Sequence, residues 1–189
     1  SRLAPCHNPH WRELFYRWFL GMVAHWRGID KQHGNNTSPL LVGPQGYRKS
    51  TFCRILLPPE LRFGYTDSID FKSKQEAERS LGRFFLINID EFDQINANQQ
   101  GFLKHLLQKP VANLRKPYGT TIQEMRRYAS FIGTSNLKDL LTDPSGSRRF
   151  ICIEVTGPIQ TNVTINYHQL YAQAMHDIMK GERYWLGDT

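Results

Sequence analysis

Residues 40–51 read Leu-Leu-Val-Gly-Pro-Gln-Gly-Tyr-Arg-Lys-Ser-Thr. A short apolar run ends in a glycine-bearing loop, and the loop closes on Lys-Ser ahead of a helix-compatible segment, residues 51–57. Strand, loop and helix in that order build a P-loop. Main-chain N–H groups of such a loop cradle phosphates, Lys49 reaches their outer oxygens, and the Ser50 hydroxyl takes a position on Mg²⁺. Gly43, Gly46, Lys49, Ser50 and Thr51 form the expected nucleotide-binding set, with ATP and Mg²⁺ the expected cofactors. The pattern G-x-x-x-x-G-K-[ST] is kept at Gly43, Lys49 and Ser50 but broken at Arg48, where glycine is expected; Gly46 supplies a glycine two residues early.

Further along, residues 84–89 (Phe-Phe-Leu-Ile-Asn-Ile) form an almost unbroken apolar run, the mark of a strand buried on both faces of a parallel sheet. It leads straight into Asp90-Glu91. Open α/β sheets bind ligands at the carboxyl ends of their strands. Asp90 is thus placed to hold Mg²⁺, directly or through water, and Glu91 to polarise the water that attacks the γ-phosphate. Residues 128–133 predict another buried strand, ending in Gly133-Thr134-Ser135-Asn136, with Asn136 the candidate to hydrogen-bond that water or the γ-phosphate. Arg148-Arg149 precede a strand at 150–155 and are candidates for an arginine finger.

The rest of the chain supplies helices between these strands. Residues 9–26 carry Trp11, Leu14, Phe15, Trp18, Phe19, Met22, Val23 and Trp26 at steps of three and four, an amphipathic helix with a wide apolar face. A polar loop spans 31–38, and Pro58-Pro59 break the helix that follows the P-loop. A charged helix is expected at 73–81, capped by Ser73 with Glu76 three residues on, and another at 98–108. Residues 110–127 predict a hairpin around Tyr118-Gly119. A final helix, 167–180, stops at Gly181, a glycine C-cap. Alternating strands and helices predict an α/β domain with a largely parallel sheet flanked by helices. One domain is expected: an N-terminal helical segment at 1–38, a core at 39–160, and a helix and tail at 161–189.

The 189 residues carry a net charge of +7, which favours a polyanionic partner. The cations crowd between Lys104 and Arg127 and at Arg148-Arg149. Hydrophobic residues make up 40%, and no apolar run approaches the ~20 residues that cross a bilayer. Three widely spaced cysteines, Cys6, Cys53 and Cys152, read as reduced thiols of a cytoplasmic protein. Ser1 in place of an initiator Met predicts a piece of a longer protein.

Taken in order, the segments 43–51, 85–93, 116–127, 131–136 and 146–150 resemble the virulence-associated protein E family, P-loop ATPases related to superfamily 3 helicases of phage and mobile elements. The most specific match is Arg115-Lys-Pro-Tyr-Gly119, then Arg126-Arg127, Phe-Ile-Gly-Thr-Ser-Asn136 and Gly-Ser-Arg-Arg-Phe150; residues 181–186 also look like the family's tail. The resemblance implies Walker A at Lys49 and Ser50, Walker B at Asp90 and Glu91, and sensor 1 at Asn136. It further implies a finger from the Arg148-Arg149 pair, acting in trans across a homo-oligomeric ring, and a primase-like domain upstream. In superfamily 3 motors a hairpin before sensor 1 grips single-stranded DNA. Here it falls on Arg115, Lys116, Tyr118, Arg126 and Arg127, cations and an aromatic suited to sequence-independent binding. The implied function is an ATP-dependent, helicase-type motor in mobile-element replication. Arg48 departs from the family pattern and leaves three outcomes open: it points outward, it contacts phosphate, or it slows turnover. A nucleotide-binding scaffold with little hydrolysis is the alternative, and a small-molecule phosphotransferase a third that leaves the arginine pair and basic hairpin unexplained.

Overall fold

The computed structural model describes residues 3–5, 10–30, 32–116, 118–136 and 149–185. Among these, five parallel strands make the core of a sheet: β2 (Ser38–Val42), β3 (Tyr65–Thr66), β4 (Leu86–Ile89), β7 (Ser130–Ser135) and β8 (Phe150–Val155). Their spatial order is β8-β2-β7-β4-β3, and β1 (Leu3–Pro5) adds an antiparallel edge on β8. A separate two-stranded hairpin joins β5 (Val111–Arg115) to β6 (Ile122–Arg126).

Period-two alternation in the strands divides the interior into two layers. Leu41, Leu86, Ile132, Ile151 and Ile153 turn to one face and pack with Trp18, Leu20 and Met22 of α1 (Trp11–Arg27) and Ala174 and Ile178 of α5 (Tyr167–Met179). Leu40, Val42, Ile87, Ile89 and Phe131 turn to the other, against Ala77 and Leu81 of α3 (Lys74–Arg83) and Leu103, Leu106 and Leu107 of α4 (Ala97–Gln108). The expected α/β sheet flanked by helices is the observed fold, with the N-terminal helix an integral part of one layer.

Local signals set the boundaries. Ser73 accepts the Glu76 N–H at 3.2 Å, as expected of an N-cap. Asn96 and Gln99 close a full capping box that starts α4 one residue before the expected Asn98. The apolar run at 84–89 enters the ladder only at Leu86. Phe85 instead lies in an aromatic cluster with Trp26, Phe63 and Tyr128, and its carbonyl accepts the Trp26 indole N–H at 3.0 Å. Tyr128 likewise precedes its strand: its N–H and that of Ala129 both donate to the Leu81 carbonyl at the end of α3.

Candidate functional site

Because β2, β7 and β4 are parallel neighbours, the loops at their carboxyl ends meet. Gln45, Gly46, Arg48, Lys49, Ser50 and Thr51 after β2, Asp90 and Glu91 after β4, and Thr134, Ser135 and Asn136 closing β7 line one cleft of about 400 Å³. A larger cleft of about 700 Å³, lined mainly by apolar and aromatic side chains such as Trp26, Phe85 and Tyr171, shares no residue with it.

Lys49 opens α2 (Lys49–Ile55) and is buried. Its Nζ donates to the Gly43 and Pro44 carbonyls (2.6 and 2.9 Å) and to Asn136 Oδ1 (3.1 Å). Burial pulls its pKa below the ordinary lysine value, partly offset by the Asp90 charge. The Gly43 N–H is held by the Ser135 carbonyl at 3.0 Å, and a side chain at Gly43 would strike the Val155 carbonyl. Ser50 Oγ lies 3.4 Å from Asp90 Oδ1, and Thr134 Oγ1 donates to that same carboxylate oxygen at 2.6 Å. Two hard oxygen donors so close, beside a glycine-bearing loop that opens a helix, suit Mg²⁺, which takes one or two protein oxygens and completes its shell with other oxygens such as water. The donor set fits.

Among the described non-glycine residues, positive φ occurs at Arg48, Glu91 and Tyr118, and the first two line this cleft. Such backbone conformations persist where the surroundings enforce them and gather at functional sites. At Arg48 (φ 60°, ψ 33°) the loop adopts the conformation for which the missing glycine is suited, while the guanidinium donates to the Thr161 hydroxyl at 3.3 Å. The following segment reaches back as well, the Ile159 N–H donating to the Tyr47 carbonyl.

Asp93 and the hydroxyls of Thr134 and Ser135 escaped the sequence reading. Ser135 Oγ donates to Asp93 Oδ1 at 2.9 Å. Burial acts to raise the Asp93 pKa, but hydrogen bonds from Gln94, Ser135 and the Asn136 main chain outweigh it and hold the group below the usual carboxylate range. For the two hydroxyls the signal was the polar triplet Thr134-Ser135-Asn136 at the carboxyl end of a buried strand.

Arg149 lies elsewhere. Arg148 is outside the described residues. Arg149 immediately precedes β8, whose Phe150 pairs with Ser38 at the start of β2. It is therefore at the amino end of the sheet, and the four steps from Ser38 to Val42 alone span roughly 13 Å. Its guanidinium meets the Gln108 amide oxygen at the end of α4. Arg149 does not join the cleft of its own chain.

The hairpin stands on α3, where Glu78 binds Lys109 Nζ and the Asn113 N–H, both at 2.7 Å. Arg115, Lys116 and Tyr118 are exposed, Tyr118 completely, and every residue of β6 faces outward. Of Arg126 and Arg127, both expected among the DNA contacts, Arg127 is buried and engaged within the protein, whereas Arg126 is exposed at the end of β6 while its guanidinium meets main-chain carbonyls. The Arg126 guanidinium donates to the His25 and Trp26 carbonyls at the end of α1 and stacks 4.3 Å over Tyr128. Arg127 is 1% exposed and donates to the carbonyls of Leu106, Leu107, Lys109 and Ala129. Burial draws its pKa down to about 9, so it remains charged at neutral pH. A guanidinium beneath the hairpin that caps α4 cannot also face a nucleic acid.

The parallel sheet and the loops at its carboxyl edge place the molecule in the class of P-loop NTPase folds. Residues 3–189 match the model of the virulence-associated protein E-like domain, and the chain belongs to that family. Three apo structures of the NrS-1 C-terminal region share the fold at 15% identity. Two have TM-scores of 0.53 and 0.51, covering 87% and 94% of this chain but only 39% and 40% of theirs. The third gives 0.50, with 87% and 38% covered. The chain thus spans about two-fifths of these neighbours. No curated protein matches it. Among the described residues no helix is long and apolar enough to cross a membrane.

Proposed function

We propose that this domain binds ATP with Mg²⁺ in the cleft between β2, β7 and β4 and hydrolyses it as part of a helicase-type motor acting on single-stranded DNA. The observation that carries this is the convergence of the Lys49 ammonium, the Asn136 amide and the Ser50–Asp90 oxygen pair at the ends of three adjacent parallel strands. Lys49, held by two loop carbonyls, exchanges them for phosphate oxygens. Ser50 and Asp90 hold Mg²⁺, which neutralises charge on the β- and γ-phosphates when bound. Thr134 keeps the Asp90 carboxylate turned to that position, and Glu91, at the cleft rim, orients the attacking water. Arg149, at the far end of the sheet, is suited to serve a neighbouring copy in a ring. Arg115, Lys116 and Tyr118 offer DNA two cations and a stacking face. A primase-like domain upstream and a role in mobile-element replication complete the picture drawn from the family resemblance.

The left-handed Arg48 favours a second reading, a nucleotide-dependent scaffold with little turnover. Steady-state ATPase assays with and without single-stranded DNA separate the two. The motor reading expects turnover stimulated by DNA and abolished in Glu91→Gln with nucleotide affinity retained. Binding without turnover, with or without DNA, selects the scaffold.

A further inference from the structure

Asp93 has no role in the chemistry above, yet its carboxylate sits where the acidic turn meets the end of β7. It lies in the 3₁₀ turn Phe92–Gln94 and accepts the Ser135 hydroxyl at 2.9 Å, the Gln94 amide at 2.8 Å and the main-chain N–H groups of Asn136 and of Asp93 itself. Its partners at the end of β7, Ser135 and Asn136, are the residues that hold the P-loop. The Ser135 carbonyl fixes the Gly43 N–H at 3.0 Å, and the Asn136 amide oxygen fixes Lys49 Nζ at 3.1 Å. Ser135 is 2% exposed, so its hydroxyl has little competition from water. One carboxylate thereby touches both residues through which β7 grips the loop. Thr134 anchors Asp90 separately.

We propose that Asp93 is a positioning residue for reading the terminal phosphate: through Ser135 and the Asn136 main chain it holds the Asn136 amide and the Lys49 ammonium aimed together at one point of the cleft. This rests on the nucleotide-site reading. A carboxylate that merely tied down the end of a strand would contribute to stability but would not distinguish a triphosphate from a diphosphate.

The test is therefore a preference. The full chain, Asp93→Ala, Ser135→Ala and Ser135→Thr are titrated calorimetrically with Mg²⁺-ADP and with a non-hydrolysable Mg²⁺-ATP analogue, after thermal melts establish folding. In Asp93→Ala and Ser135→Ala the preference for the analogue should fall about tenfold, the scale of one misaligned hydrogen bond to a charged group, with ADP affinity shifted less than about threefold. Ser135→Thr, which keeps the hydroxyl, should retain the preference. The double variant should lose no more than Asp93→Ala alone, because both changes cut one contact. If Asp93→Ala fails to fold, Ser135→Ala carries the test, since it leaves the carboxylate and its other donors in place. A wild type that prefers the analogue together with variants that prefer it equally overturns the role of Asp93 and spares the site. A wild type that binds neither nucleotide, or both alike, overturns the phosphate-reading site and this inference with it.

Discussion

Replacing Arg127 by methionine keeps a side chain of similar bulk and removes every donor. The guanidinium is 1% exposed, with Nη1 donating to the carbonyls of Leu106 (3.0 Å), Leu107 (2.9 Å) and Lys109 (2.6 Å) and Nε to Ala129 (2.8 Å). Three of these carbonyls close α4, where main-chain donors run short and the Lys109 N–H reaches the Leu106 carbonyl at 3.3 Å. Each buried acceptor left unpaired costs about 1–3 kcal/mol. Relief from burying the guanidinium offsets part of that sum, so the net loss should be about 3–5 kcal/mol, the range for breaking a buried charged interaction. For a chain of this size, that lowers the melting temperature by about 6–20 °C. Urea denaturation of wild type, Arg127→Met and Arg127→Lys measures it, and the single ammonium of lysine should restore less than half of the loss. The salt dependence of single-stranded DNA binding by folded protein should stay unchanged in Arg127→Met. A variant within about 0.5 kcal/mol of wild type, the range of ordinary surface changes, or one with a flatter salt slope, would refute the assignment of Arg127 to the interior.

His25 supplies a pH test. Burial first, and the Arg127 charge second, pull its pKa from 6.5 down to about 3, with Asp30 acting weakly the other way. Below pH 6.5 the unfolded chain takes up a proton that the fold refuses, so this contribution to stability falls by about 1.4 kcal/mol per pH unit as pH drops from about 6.5 toward 3. His25→Gln should remove that slope from urea midpoints measured across the window; a slope equal to wild type would contradict it. Arg48→Gly relieves a left-handed side-chain residue worth about 1–2 kcal/mol, against about 0.5–1 kcal/mol of added glycine entropy, and should stabilise the domain by about 0.5 kcal/mol. If Arg48 crowds the phosphates, turnover should also rise severalfold, and unchanged turnover would mean that its guanidinium stays on Thr161. Lys116→Ala with Tyr118→Ala should weaken single-stranded DNA binding by ~1–3 kcal/mol per lost stacked base and flatten the salt slope by about 0.7 per phosphate contact, with ATP affinity spared. Fluorescence anisotropy across a salt series measures both, and identical affinity and slope would put DNA elsewhere.

Wherever one strong local signal decided an element, it was legible in the sequence. The apolar runs of β2, β4, β7 and β8 and the glycine at 181 specified the sheet and the last helix. Weaker elements were invisible. β3 has two residues and half-buried side chains, too few for any period, and β1 lies in a polar stretch where pairing with β8 is a tertiary effect. The cleft was legible as a set of residues because strand ends and phosphate loops have residue-level signatures. The hydroxyl–carboxylate contacts Thr134–Asp90 and Ser135–Asp93 depend on sheet register, with Ile89 opposite Gly133, and no linear pattern encodes that. Arg127 shows the limit of charge patterning. A cation beside an exposed hairpin reads the same whether it faces a polyanion or caps the carbonyl end of a helix, and here main-chain carbonyls claimed the buried Arg127.

The central claim is that Lys49, Asn136 and the Ser50–Asp90 pair form a nucleotide site. Calorimetric titration with a non-hydrolysable ATP analogue, with Mg²⁺ and with chelator, tests it directly on the wild type and on Lys49→Ala. The wild type should bind one analogue per chain, more tightly with Mg²⁺, and Lys49→Ala should show no measurable binding while melting cooperatively. Equal affinity in the two proteins, or no heat from the wild type, would mean that the loop at 43–51 does not hold phosphate.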